Sequence, residues 1–164
     1  MSEVRIPTNR PGVYALVDVG DEALVAGHRW HVQDVDGCLY AQTNIPTIPG
    51  QRSLRMHRLL MPEVPYIDHR NGNGLDCRRS NMRPATHAQN MKNRKRHSNN
   101  TSGFKGVSLD KETGRWMARI YCDGRPIRLG GYATPDEAGM AYDEAALIHH
   151  GEFARTNAML AATG

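Results

Sequence analysis

The spacing of apolar and polar positions divides this chain of 164 residues into three stretches. Up to about residue 56 the apolar positions come in short runs and alternations, the period-two signature of strands. "VYALVDV" predicts one strand. "HRWHVQDVDGCLYAQTN" predicts two more around Asp36-Gly37, a dipeptide suited to a tight hairpin turn. "TNIPTIPGQ" holds two prolines and a glycine and reads as a loop, after which "RSLRMHRLL" resumes a β or early helical pattern. The middle stretch has a strand-like "YID", a loop at "NGNG", and a short helix in "THAQNMKNRK". Thr86 suits its N-cap, and Gln89 three residues on completes a capping box. "RHSNNTSG" is polar throughout and reads as a linker.

From Phe104 the pattern predicts three strands, "FKGVSL", "RWMARIYC" and "RPIRLGGY", with turns at "DKETG" and "DG". The strongest helix is "TPDEAGMAYDEAALIHH". Thr134 caps it, Pro135 occupies its first turn, Asp136 and Glu137 suit its positive end, and Gly151 ends it. Ala138, Ala141, Tyr142, Ala145 and Ile148 are expected on its core face. In "RWMARIYC", Arg115, Met117, Arg119 and Tyr121 share one strand face, and Trp116, Ala118, Ile120 and Cys122 share the other. The apolar set belongs under the helix. The Arg and Tyr set, joined by Arg128, then faces outward. The fold class is α+β, and no internal repeat is present.

Composition narrows the setting. Hydrophobic residues make up 39% and aromatics 6%, so each core is small. Cys38, Cys77 and Cys122 are odd in number and form no CxxC pair, which argues against a disulfide framework or a cysteine zinc site and suits a reducing compartment. The N-terminus has no long apolar run of the kind that makes a signal peptide or membrane span. The net charge of +4 is unevenly spread. Residues 70–128 carry 14 Lys and Arg against 4 Asp and Glu, while the stretches on either side are net acidic. A basic belt of this kind points to a polyanion, most often nucleic acid.

Within the belt, Asp68 and His69 are adjacent, and Asn81 and Asn90 follow. Phosphodiester hydrolysis needs a hard cation on oxygen ligands and a base that titrates near neutrality. A carboxylate, an amide oxygen and an imidazole are the right types. Such residues are common in turns, however, and alone they make a weak motif.

The order "MHRLL…IDHRNGNGLDCRRSNMR…HAQNMKN", residues 55–93, resembles the HNH endonucleases of the homing type, with their "hHRL", "DHxxGxxxDNRxxNLR" and distal Asn. The resemblance implies a ββα-metal module over 54–97. It implies His69 as general base, Asp68 and Asn90 as ligands of one divalent metal, Mg2+ or Mn2+, and Asn81 as the residue that ties the loop and helps orient the histidine. His57 and His87 are further candidates. Cys77 departs from the family's Asn in the loop. The reaction implied is water attack at phosphorus, with 5′-phosphate and 3′-hydroxyl products and one strand cut per site.

"KGV", "GRWMARI", "LGGYATPDEAGMAYDEAA" and the closing "G…A…N" resemble the Apetala2/ethylene-response-factor DNA-binding domain, over 103–160. That resemblance implies a three-stranded antiparallel sheet packed on one helix, with the sheet in the major groove of double-stranded DNA. Lys105, Ser108, Arg115, Arg119, Tyr121 and Arg128 are the expected contacts there, with Lys92, Arg94, Lys95 and Arg96 on the backbone beside the scissile bond. Ser108, Arg119, Tyr121 and Arg128 all differ from the plant residues at those places, so the target sequence is not carried over.

Residues 1–53 form a β-rich segment of open role, and 98–102 the linker. The expected protein is a cytoplasmic, phage-encoded endonuclease in a bacterial host, with no membrane association and with its oligomeric state left open, a monomer included. A non-catalytic DNA-binding regulator is the alternative, and an RNA-binding protein fits the charge alone.

Overall fold

The computed structural model describes residues 3–97 and 99–162. They fall into two compact units, Met1–His87 and Ala88–Gly164.

The first unit opens with an antiparallel pair, β1 (Glu3–Pro7) and β2 (Tyr14–Asp18). A short helix α1 (Glu22–Val25) follows, then an antiparallel sheet of β3 (His31–Val35), β4 (Cys38–Pro46) and β5 (Gln51–Arg55), with β4 in the middle. The turn between β3 and β4 places Asp36 at φ 51° and Gly37 at φ 78°. Both are left-handed, which is what a two-residue hairpin turn with right-handed strand twist requires. The prolines of "TNIPTIPGQ" do not keep its first half out of the sheet: Thr43–Pro46 continue β4 and pair with β5. The ladder overrides the local loop signal there, and only the last residue of the strand is a proline.

Next come α2 (Met56–Leu60), the short antiparallel pair β6 (Ile67–His69) and β7 (Met82–Pro84), and α3 (His87–Lys92), which starts at the unit boundary. The apolar core does not divide after residue 53. Ile6, Ala15, Val17, Val25, Trp30 and Ala41 form one buried cluster with Met56, Leu60, Ile67, Leu75, Cys77 and Met82.

In the second unit, β8 (Val107–Leu109), β9 (Trp116–Cys122) and β10 (Arg125–Tyr132) form an antiparallel sheet with β9 central. Helix α4 (Pro135–His150) packs on it, and α5 (Asn157–Ala161) follows. The capping box of α4 is complete: Glu137 N–H donates to Thr134 Oγ1 (3.2 Å), and Thr134 N–H donates back to the Glu137 carboxylate (3.3 Å). Ala118, Ile120 and Val107 pack against Ala138, Tyr142, Ala145 and Ala146. Ile148 is 78% exposed, contrary to its expected place on the core face. The buried arc of α4 runs through Gly139 and Ala146 and on to His150, which turns Ile148 outward. Gly139 lets Phe104 come so close that an added Cβ would lie 2.6 Å from its ring.

Strand β8 is shorter than "FKGVSL" predicts. Asn100 and Ser102 hold the chain before it in a turn: both donate side-chain bonds to Phe104 O, and Ser102 also donates to Val107 O. The linker expected at 98–102 is therefore ordered from Asn100 onward, while Ser98 lies outside the described residues. Among the described residues no helix is long and apolar enough to cross a membrane.

Candidate nucleic-acid interface and buried histidine site

In the first unit, Asp68 and His69 stand side by side on β6, opposite Arg83 and Met82 of β7. Both are buried. Arg83 donates from Nε and Nη2 to Asp68 Oδ2, at 2.8 and 2.7 Å. A carboxylate held by two such bonds keeps one orientation, and removing Arg83 would leave it without its counter-charge.

The imidazole of His69 lies edge-on to that of His57, with centroids 5.1 Å apart, and the Tyr40 ring approaches both at 6.0 and 5.8 Å. Arg55 caps Tyr40, its guanidinium carbon 4.5 Å from the ring centroid. Burial pushes His69 down to about 4, against the opposing pull of Asp68 and Asp76. Burial, then repulsion from His69, Arg55 and Arg58, pushes His57 down to about 3. Both rings are therefore neutral at pH 7, and a neutral imidazole is the form that can accept a proton.

The loop between β6 and β7 is stapled by its own side chains. Asn81 Oδ1 accepts from Asn71 N–H (3.0 Å), and Asn81 Nδ2 donates to Asp76 O (2.7 Å). Asp76 receives Arg78 on both oxygens at 2.7 Å and Asn71 on one. The N-terminal strands secure this loop from outside. Leu16 exchanges backbone bonds with Leu75 and Cys77, Arg78 reaches Glu3 at 2.8 Å, and Arg79 pairs with Asp21. Cys77, where the resembling pattern has Asn, is buried in this core.

Tyr40, Arg55, Asp76, Arg78 and Arg83 went unnoticed as site residues in the sequence. Arg83 lay inside the quoted motif, but no local spacing reveals a partner fifteen residues away on the facing strand. His87 is exposed, with its ring 6.3 Å from that of Tyr66. Asn90 sits on the part of α3 that belongs to the second unit.

The second unit presents the other candidate surface. Alternation along β9 buries Ala118 and Ile120 under α4 and leaves Arg119 and Tyr121 exposed. Arg128 on β10 is registered directly opposite Arg119, and Ser108 on β8 opposite Met117. Arg115 is folded back, donating to Gly131 O at 2.7 Å.

The basic run beyond α3 does not hang free. Lys105 Nζ donates to both Lys92 O and Arg94 O at 2.8 Å, and Arg96 donates to Gly103 O. Lys105, expected as a DNA contact, is thus a strut that holds the basic segment, and burial pushes its amine down to about 8. Lys95 and Arg96 remain exposed, and Lys92 and Arg94 are half-buried. A cavity of about 540 Å³ opens within this unit, lined by residues of α3, the basic run, β8 and β9.

Residues 102–151 match the AP2 domain. The ethylene-responsive transcription factor ERN1 of Medicago truncatula is 47% identical over 69 residues, covering 41% of this chain and 25% of that protein. APETALA2-like protein 2 of Oryza sativa subsp. japonica is 37% identical over 60 residues, covering 37% and 14%. The chain thus spans a quarter or less of these plant relatives. Protein 3.8 of Escherichia phage T7 is 33% identical over 95 residues, covering 58% of this chain and 78% of that protein. With a match that takes in most of its relative, the chain belongs to the family of Protein 3.8 of Escherichia phage T7, and it carries an AP2 domain at residues 102–151.

Proposed function

We propose that this chain binds duplex DNA at a preferred sequence, with the exposed face of its AP2 sheet as the reader. The observation that carries the reading is the outward set of Arg119, Tyr121 and Arg128 on a sheet whose other face is sealed by α4. Arginine pairs bidentately with guanine edges in the major groove, and each such contact discriminates by about 1–3 kcal/mol. The Medicago truncatula relative is named as a transcription factor, which supports sequence-specific binding. Lys95 and Arg96 add charge for the phosphate backbone, so affinity falls with salt by roughly 0.9 log units per log unit for each phosphate neutralised.

Selection from a randomised duplex pool, followed by binding to the selected site, tests this. Arg119→Ala should lose about tenfold or more on the selected site and little on random duplex. Equal affinity of the wild type for selected and random duplex would sink the reading.

The buried histidine site favours a second reading: that the first unit is a phosphodiesterase acting on the DNA the second unit holds. Its support is the neutral His69 beside an Asp68 that Arg83 orients, together with the HNH-like order of residues 55–93. Asp68 offers the oxygen donor a hard cation prefers, although Arg83 already holds one of its oxygens. Mg2+ or Mn2+ bound there would neutralise charge on the phosphate. His69 would take the proton of the attacking water, and Asn81 would hold the loop that frames it. Supercoiled plasmid with Mg2+ provides the assay. His69→Ala should lower nicking by at least about 100-fold. Unchanged nicking in both His69→Ala and Asp68→Asn would leave a DNA-binding protein without this activity.

A further inference from the structure

The cavity of the second unit combines features that a duplex-reading sheet face does not need. Lys92 and Lys95 stand on one wall, Arg119 and Tyr121 on another, and His150 and Lys105 also line it. His150 Nε2 donates to Tyr121 O at 2.9 Å, which ties the end of α4 to the backbone of Tyr121.

The walls therefore ask for two things at once. The cations of Lys92 and Lys95 ask for an anion, and the exposed ring of Tyr121 for a flat partner. A nucleotide supplies both through its phosphate and its base plane. At about 540 Å³ the cavity is within the size range of small-ligand pockets, and far too small for a duplex. Lys105 makes the cavity permanent, since its bonds to Lys92 O and Arg94 O fasten the basic wall to the AP2 domain.

We propose that this cavity binds a single unstacked nucleotide of a DNA strand, with the base against Tyr121 and the phosphate against Lys92 and Lys95. Base stacking on an aromatic side chain tolerates any sequence, so the site would take an unpaired base without reading it. The proposal relies on the DNA-binding reading above for the polymer that carries the nucleotide. The cavity itself is built by residues 88–97 as well as by the AP2 sheet.

The test uses the full chain in EDTA, which prevents cleavage. Fluorescein-labelled single-stranded dT4 is titrated by anisotropy, duplex binding is measured separately, and dAMP and inorganic phosphate serve as competitors. The wild type should bind dT4, and dAMP should displace it where inorganic phosphate at the same concentration does not. Met91→Glu is the diagnostic variant. Met91 lines the cavity from α3 and is 44% exposed, so the change suits the helix and puts a negative charge where the phosphate would lie. It should weaken dT4 about tenfold with an unchanged melting curve, and Tyr121→Leu should do the same by removing the stacking face. Duplex binding without dT4 binding would overturn the nucleotide site and leave the duplex reading standing. Absence of both would remove both. Equal dT4 affinity in Met91→Glu, or equal displacement by inorganic phosphate, would also overturn the proposal.

Discussion

Gly106→Ala should unfold the second unit at temperatures where the wild type is intact, and duplex binding should vanish with it. Gly106 sits at φ +77°, where an L side chain is strained by roughly 1–2 kcal/mol. The larger cost is steric. An added Cβ would lie 2.0 Å from the Tyr142 ring and 2.8 Å from Arg119 O. Neither neighbour can give way cheaply: Arg119 N–H donates to Gly106 O at 2.9 Å, which fixes the two backbones, and Tyr142 is a buried centre of the core. Displacing a buried aromatic costs about as much as deleting one, about 3–5 kcal/mol. At roughly 4–8 °C per kcal/mol for a unit of this size, the melting point should drop by about 15 °C or more. Gly114→Ala is the control. Gly114 also has positive φ, at +68°, but nothing lies within 4 Å of its Cβ position. It should cost only the backbone strain. Similar melting points for the two variants would show that the Tyr142 contact does not carry the fold.

The first unit should lose stability as pH falls from 6.5 towards 4. His57 and His69 have folded values of about 3 and about 4, below the ordinary 6.5 of a solvated imidazole. Above 6.5 both rings are neutral in either state and contribute no pH dependence. Below 6.5 the unfolded chain binds two protons that the folded unit refuses, so stability drains away through that window and levels off only below the folded values. Two such groups place the loss at pH 4.5 on the order of a few kcal/mol, a large share of an ordinary domain's stability. Trp30 is buried in this unit and Trp116 lies in the other, so Trp116→Phe leaves Trp30 fluorescence as the reporter. The urea midpoint read from Trp30 should fall steadily between pH 7 and 4.5, and His57→Phe should flatten the slope. A midpoint constant across that range would mean the two rings are not held neutral by burial. His150 is shifted down as well, by burial, so the second unit should respond in the same direction.

What could be read locally and what could not separate cleanly by the distance between partners. Asp36-Gly37, the capping box of Thr134 and Glu137, and the alternation of Arg119 and Tyr121 with Ala118 and Ile120 all involve residues within four positions of one another. The covalent chain forces such neighbours to meet whatever the rest does. Ile148 failed for a related reason. Helical periodicity narrows the possible core faces, but the sheet selects the arc, and it selected the side of Gly139 and Ala146.

The candidate site shows the same divide. Sequence order alone placed Asp68 beside His69, and it placed the basic belt next to an AP2-like reader. It could not show that Arg83 clamps Asp68, that Tyr40 and His57 enclose His69, or that residues 3–21 brace the loop of Asp76. Nor could it show that Lys105 fastens the basic run at Lys92 and Arg94 to the AP2 domain. By itself the sequence determined the local elements, the chemistry on offer and the two surfaces where it is concentrated. Tertiary structure decided which of those groups are buried, paired or neutral, because desolvation and ion pairing depend on residues as far apart in the chain as Arg78 and Glu3, which meet only when the strands pack.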